Sequence, residues 1–212
     1  MNLEEKQLAS LVGGIKNYKM QRDFQLRFLK QRGLKPEHKV LDIGCGVLRG
    51  GVRLIDYLDT NNYYGTEARD FVYNIANKVI EKKRLQDKRP RLFFTEDLSP
   101  IRTKFDYMWA FMVFIHLTDD RLINILAQVK SRLLDGGKLY ANVNVGTSRE
   151  KAWQGFPVMW RPFKHYADIC KSYGLVCEDI GSLKFNGHDN GLSIKQQAQQ
   201  RMVKITHENI NS

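Results

Sequence analysis

Apolar and polar positions along this chain follow two rhythms that take turns. Between residues 17 and 31, Phe24, Phe28 and Leu29, with Leu26 beside them, recur at helical spacing until Gly33 ends the run. That pattern predicts an amphipathic helix. Residues 39–43 then form a short unbroken apolar run, the signature of a buried strand, leading into a glycine-rich stretch, VLDIGCGVLRGG (40–51). Helical spacing returns at 52–58, with Val52, Leu54, Ile55 and Leu58 apolar. A strand follows at 63–66, then a helix at 71–84 with Phe71, Ile75, Val79 and Ile80 facing inward. Strands are expected at 91–95 and at 105–113, the second strongly apolar. Thr118 is placed to cap a long helix, with Asp119 and Asp120 in its first turn and Asp135-Gly136-Gly137 as its stop. A fifth strand at 138–145, a helix at 166–173 and strands at 175–180 and 201–206 complete the series. The last two strands have no apolar helical stripe between them, so they are read as a hairpin.

Strand–helix alternation at these lengths predicts an α/β fold. Its seven strands form a mostly parallel sheet with helices on both faces, and the sheet ends in an antiparallel C-terminal hairpin. Right-handed crossovers restrict the topology further. No repeat, low-complexity tract or linker interrupts the 212 residues, so a single domain over 1–212 is expected. At 42% hydrophobic residues the chain can bury a sizeable core. No apolar run approaches the roughly 20 residues of a membrane span, and the N-terminus has no signal-peptide core. The three cysteines, Cys45, Cys170 and Cys177, suit a reducing, cytoplasmic setting. The net charge of +11, with the dense run EKKRLQDKRPR (81–91), fits either a nucleic-acid partner or a solvated basic helix end.

The glycine loop leaves the end of the first strand, where sheets of this kind bind ligands. A dinucleotide loop requires G-x-G-x-x-G; Gly44 and Gly46 comply, but Arg49 occupies the third position. The Gly-Lys-Ser/Thr ending of a phosphate loop is absent as well. Asp42, just before the glycines, would repel a pyrophosphate, and so favours a ligand with a free ammonium group.

LDIGCG, followed by YYGTEA, TEDL and FDYMWAFMVFIHL in that order, resembles the class I S-adenosylmethionine-dependent methyltransferases from about residue 40 to 145. The resemblance implies a Rossmann-like fold and S-adenosyl-L-methionine as cofactor; no metal is expected, because no coordinated set of acids for a divalent ion can be assembled near the fourth strand. It also implies roles for particular residues. Gly44, Cys45 and Gly46 would let the backbone approach the methionine half of the cofactor, with Asp42 beneath it. Glu67 would accept both ribose hydroxyls, and Asp97 the adenine amino group beside the Leu98 backbone. Ala110 and Phe111 would pack on the cofactor. One departure stands out: the family's third glycine falls at Leu48, followed by Arg49-Gly50-Gly51. This form resembles a bacterial subset of the family. Because Leu48 lacks glycine's access to positive φ, the turn is expected to differ in shape. Arg49 would lie along the cofactor carboxylate, project into the substrate cleft, or sit at the surface. In that subset an N-terminal helical cap, here 1–36, lies over the cofactor, which makes Tyr18 a lid contact.

For the acceptor, His116 is placed after the fourth strand as a proton acceptor or as a packing histidine, both open. Residues 147–166 (TSREKAWQGFPVMWRPFKHY) interleave aromatics with cations and are read as a substrate flap, with Trp153, Trp160 and His165 as acceptor contacts. The leading expectation is O-methylation of a small molecule or glycan. An RNA or other nucleic-acid methyltransferase and a catalytically silent binding subunit are the alternatives. The D/N/S-P-P-Y/F/W motif of amino-methylating DNA enzymes and a Pro-Cys nucleophile are both missing. Oligomeric state is left open.

Overall fold

The computed structural model describes residues 8–11, 17–153 and 155–208. The chain divides into two compact units, Met1–Glu96 and Asp97–Ser212. Residues 1–7 and 12–16 of the expected helical cap lie outside the described residues.

In the first unit, helix α1 (Tyr18–Gln31) precedes β1 (Val40–Ile43), α2 (Gly51–Tyr57), β2 (Tyr63–Glu67), α3 (Asp70–Lys82) and β3 (Arg91–Phe94). The three strands lie in the order β3-β2-β1, all parallel, with Val40 opposite Tyr63 and Tyr64 opposite Arg91. Every residue of β1 and β2 is buried, as strands covered on both faces require. α1 buries Phe24, Phe28 and Leu29 as expected, but Tyr18, Gln21 and Gln25 are buried too. α3 is turned about one residue from expectation. Val72, Ala76, Val79 and Ile80 form its buried stripe, while Phe71 is 66% exposed. One residue is 100° of helix, enough to exchange a core position for a surface one.

In the second unit, β4 (Phe105–Ala110) leads through a short 3-10 turn at Phe114–His116 to α4 (Asp119–Arg132) and β5 (Leu133–Asn144). The hairpin β6 (Arg149–Trp153) and β7 (Phe156–Trp160) follows, then α5 (Phe163–Ser172), β8 (Leu175–Ser182), α6 (Ile194–Gln199) and β9 (Gln200–His207). β4 and β5 run parallel, and β9 is antiparallel to both β5 and β8, in the order β4-β5-β9-β8. The seven strands β1–β5, β8 and β9 thus belong to a mixed, mostly parallel sheet with an antiparallel C-terminal end, the Rossmann-like form expected. Helix α6 is the element the apolar pattern did not announce. It is held by a capping box, in which Ser193 accepts from the Gln196 backbone and the Gln196 side chain returns to Ser193. Only Gln197 is buried in it, so it has no apolar stripe to be seen.

Candidate functional site

The glycine loop is held from β2. Thr66 Oγ1 accepts from Gly44 N at 3.2 Å, and the Thr66 carbonyl accepts from Cys45 N at 2.8 Å. Gly44 (φ 67°) and Gly46 (φ 58°) adopt the left-handed conformation. Leu48 does as well, at φ 61°, contrary to the expected change in turn shape. The left-handed backbone costs a leucine roughly 1–2 kcal/mol. Its side chain is only 1% exposed, and burial on that scale contributes roughly 2 kcal/mol in return. The turn therefore keeps its backbone path and gains a core residue.

The glycines after Leu48 serve close approach. A Cβ on Gly50 would lie 2.2 Å from Gln25 Oε1, and one on Gly51 would lie 2.6 Å from the Tyr63 hydroxyl. Gln25, whose amide also donates to the Gln21 carbonyl at 3.2 Å, is thus the residue of α1 that presses on the loop.

Several ionisable groups converge here. Asp42 is 4% exposed and accepts from the Tyr63 hydroxyl at 2.8 Å. Burial pushes its carboxyl up to about 7, against the lowering effects of Tyr63 and Arg49. Arg49 is 8% exposed, and burial pulls it down to about 10 while Tyr18 and Asp42 oppose that change. Of the alternatives left open for Arg49, the surface position is excluded. Tyr18 is buried. Glu67, at the end of β2, is 4% exposed. It is gripped by Arg69, which gives Nε to Oε1 at 2.8 Å, Nη2 to Oε2 at 3.1 Å and its backbone N to Oε1 at 3.0 Å. Burial raises the Cys45 thiol well above its ordinary value, so this cysteine is a packing group.

In the second unit, Asp97 Oδ1 accepts from Ser99 N at 2.9 Å, and Leu98 is fully buried. Ala110 is buried at the end of β4; Phe111 stacks on Trp109 at 5.4 Å and meets the His188 ring edge-on at 5.4 Å. Met112 follows at φ 59°, its N–H bound to Asn142 Oδ1 at 2.5 Å, so a buried asparagine of β5 holds a strained turn after β4.

His116 lies against the β6–β7 hairpin. Its Nδ1 is 2.7 Å from the Pro157 carbonyl, and its ring is 6.0 Å from Trp153 and 6.1 Å from Phe156. A carbonyl only accepts, so Nδ1 carries the proton and, in the neutral ring, Nε2 carries the lone pair. Arg161, 3% exposed at the hairpin's foot, donates from Nε to Asp119 at 2.6 Å and from Nη2 to the Leu117 carbonyl at 2.7 Å. The hairpin therefore meets the 3-10 turn at His116, and Arg161 just beyond it holds Leu117 and Asp119 where the chain leaves that turn. His165 is brought to Asp119 instead, at 3.2 Å. Trp160 carries the Arg149 guanidinium 4.4 Å above its ring. Burial works to raise the Asp119 carboxyl, but its bonds to Arg161 and His165 outweigh that and hold it below the ordinary value. Thr118 takes the N-cap position without a side-chain bond. The partners of Gln25, Arg69, Pro157 and Arg161 were not legible in the sequence, because a single glutamine, arginine or proline declares none.

The cradle suits a zwitterionic adenosyl ligand on its own chemistry. It offers a buried carboxylate and a buried cation for an ammonium and a carboxylate, and a second carboxylate for a diol. Comparison with known proteins agrees. Residues 41–139 match the family model described as "Methyltransferase domain". Among solved structures, an S-adenosylmethionine-dependent methyltransferase from Clostridium acetobutylicum ATCC 824 aligns at 13% identity with TM-score 0.66, covering 90% of this chain and 92% of that one. Magnesium protoporphyrin IX methyltransferase from Synechocystis PCC 6803, with bound cofactor, aligns at 14% identity over 96% and 90%, TM-score 0.66. The glycopeptide N-methyltransferase MtfA, also with cofactor, aligns at 11% identity over 88% and 94%, TM-score 0.66. No curated protein matches the sequence. Residues 41–139 thus form a methyltransferase domain, and the chain has the fold of these S-adenosylmethionine-dependent methyltransferases. Among the described residues, no helix is long and apolar enough to cross a membrane, and no group of three or more His, Cys, Asp or Glu residues could hold a metal ion.

Proposed function

We propose that the enzyme methylates a hydroxyl group of a ring-bearing small molecule or glycan, with His116 as the general base. The observation that carries this reading is the hydrogen bond from His116 Nδ1 to the Pro157 carbonyl, between Trp153 and Phe156. When bound, S-adenosylmethionine supplies a sulfonium methyl for in-line displacement, its C–S bond breaking as the new bond to carbon forms. His116 Nε2 takes the acceptor's O–H proton, and the Pro157 carbonyl steadies the imidazolium through Nδ1–H. Trp153, 41% exposed, and Phe156, 38% exposed, offer apolar faces to an acceptor ring. Trp160 with Arg149 on the hairpin, and His165 with Asp119 on the helices that follow and precede it, add polar and cationic contacts.

In this reading Asp42 faces the cofactor's ammonium, Arg49 its carboxylate and Glu67 its ribose. Asp97 and Leu98 take the adenine, while Ala110 and Phe111 pack on the cofactor. Tyr18 belongs to the cap at 1–36, and 147–166 is the substrate flap of one methyltransferase domain. The solved relatives named for a porphyrin and a glycopeptide lend support to a compact organic acceptor over a nucleic acid. The test is a panel of phenolic, sugar and amine acceptors assayed for methyl transfer with wild type and His116→Gln. The variant is expected to lose about 10²- to 10⁴-fold in kcat on the true acceptor, with KM little changed. Equal kcat in the two proteins would remove the base from the mechanism. Turnover on RNA alone would overturn the acceptor class.

A further inference from the structure

Glu67, which the proposed function assigns to the ribose, already has its carboxylate nearly filled by the protein itself. A carboxylate offers about two acceptor positions on each oxygen. Oε1 receives two donors, the Arg69 backbone N–H at 3.0 Å and Nε–H at 2.8 Å, and Oε2 receives Nη2–H at 3.1 Å. One position is left, and two ribose hydroxyls require two. If the Arg69 side chain withdraws, the backbone bond stays and three positions open. The guanidinium has somewhere to go. Its Nη1 already lies 3.5 Å from the Leu11 carbonyl, and its side chain is 38% exposed, against 5% for that of Glu67.

We propose that Arg69 is a built-in competitor for the ribose site, and so sets how tightly this enzyme holds its cofactor. The proposal rests on the ribose role of Glu67. The cofactor's diol and the Arg69 guanidinium take turns on the same carboxylate, and the loser's position is determined by which donors the pocket contains. Arg69 is thereby an affinity-determining residue, distinct from one that props Glu67 in place. The two roles predict opposite signs. Removing a prop loosens the cofactor; removing a competitor tightens it.

Arg69→Met keeps the length and apolar stem of the side chain without its donors. Titration calorimetry with S-adenosylhomocysteine is expected to show about three- to tenfold tighter binding than wild type, the range for a half-exposed bidentate ion pair. The gain should vanish with the 2′,3′-dideoxy analogue, which has no diol, and in a Glu67→Gln background, which has no carboxylate to contest. Arg69→Lys, with one compact donor group in place of the fork, should fall between. Weaker or unchanged binding in Arg69→Met, with Glu67→Gln still weakening binding, overturns the competitor and leaves the ribose assignment standing. Undiminished binding in Glu67→Gln removes that assignment and this proposal together.

Discussion

The Asp42 carboxyl gives a quantitative handle on the cofactor cradle. Its pKa stands near 7 because burial disfavours the charge, and an ordinary aspartate titrates at 3.8. Asp42 is thus largely protonated at pH 6 in the empty enzyme. Bringing an ammonium group against it restores the charge. An opposite charge at short range lowers such a carboxyl by about 1–3 pH units, which places the bound-state value near 5. Between those two values binding expels a proton, so affinity rises with pH. Across the whole titration the gain is about 100-fold, or roughly 2.7 kcal/mol, and about 25-fold of it falls between pH 5 and 7. At pH 6 about 0.8 proton should leave per cofactor bound. Calorimetry with S-adenosylhomocysteine in two buffers of different ionisation enthalpy measures both quantities at once. Asp42→Asn cannot titrate, so its affinity should be flat with pH, close to wild type at pH 5 and far weaker at pH 7. A wild-type affinity flat from pH 5 to 7, or the same slope in Asp42→Asn, would refute the assignment of Asp42 to the ammonium. The fold itself should show the opposite trend. A raised carboxyl stabilises the folded state fully below its ordinary value and loses that contribution as pH climbs through about 7. The empty enzyme should therefore lose up to roughly 4 kcal/mol between pH 4 and 7 from this group alone, read as a falling urea midpoint that added cofactor reverses.

Two further outcomes follow from the packing. Gly50→Ala places a Cβ against the end of the Gln25 side chain, which must swing aside and give up its bond to the Gln21 carbonyl, and should destabilise the protein by about 1 kcal/mol; the penalty should vanish in a Gln25→Ala background, which urea unfolding of the four-member cycle would measure. Trp153→Ala removes an exposed aromatic wall beside His116 and should raise KM for the acceptor several-fold while leaving cofactor affinity and melting temperature near wild type, as steady-state kinetics and thermal unfolding would report.

What the sequence determined by itself was the alternation of strands and helices, the mixed sheet, and where glycines and carboxylates fall at the strand ends. Asp42, Gly44, Gly46 and Glu67 were legible because backbone conformation and charge at a strand's end are local properties. The order of apolar runs was equally local. Partnership was not. That Arg49 would be buried with Asp42, that Arg69 would fold back on Glu67, and that Gln25 would press on Gly50 depend on which surfaces the folded chain brings together. The same holds for His116, whose tautomer is set by Pro157, 41 residues further along. Leu48 shows the limit most sharply. Local sterics disfavour positive φ for leucine, and only the core that receives its side chain makes the turn worth adopting. Polar burial and hydrogen-bond choice are decided by tertiary neighbours, because a desolvated charge or amide takes the partner that folding supplies.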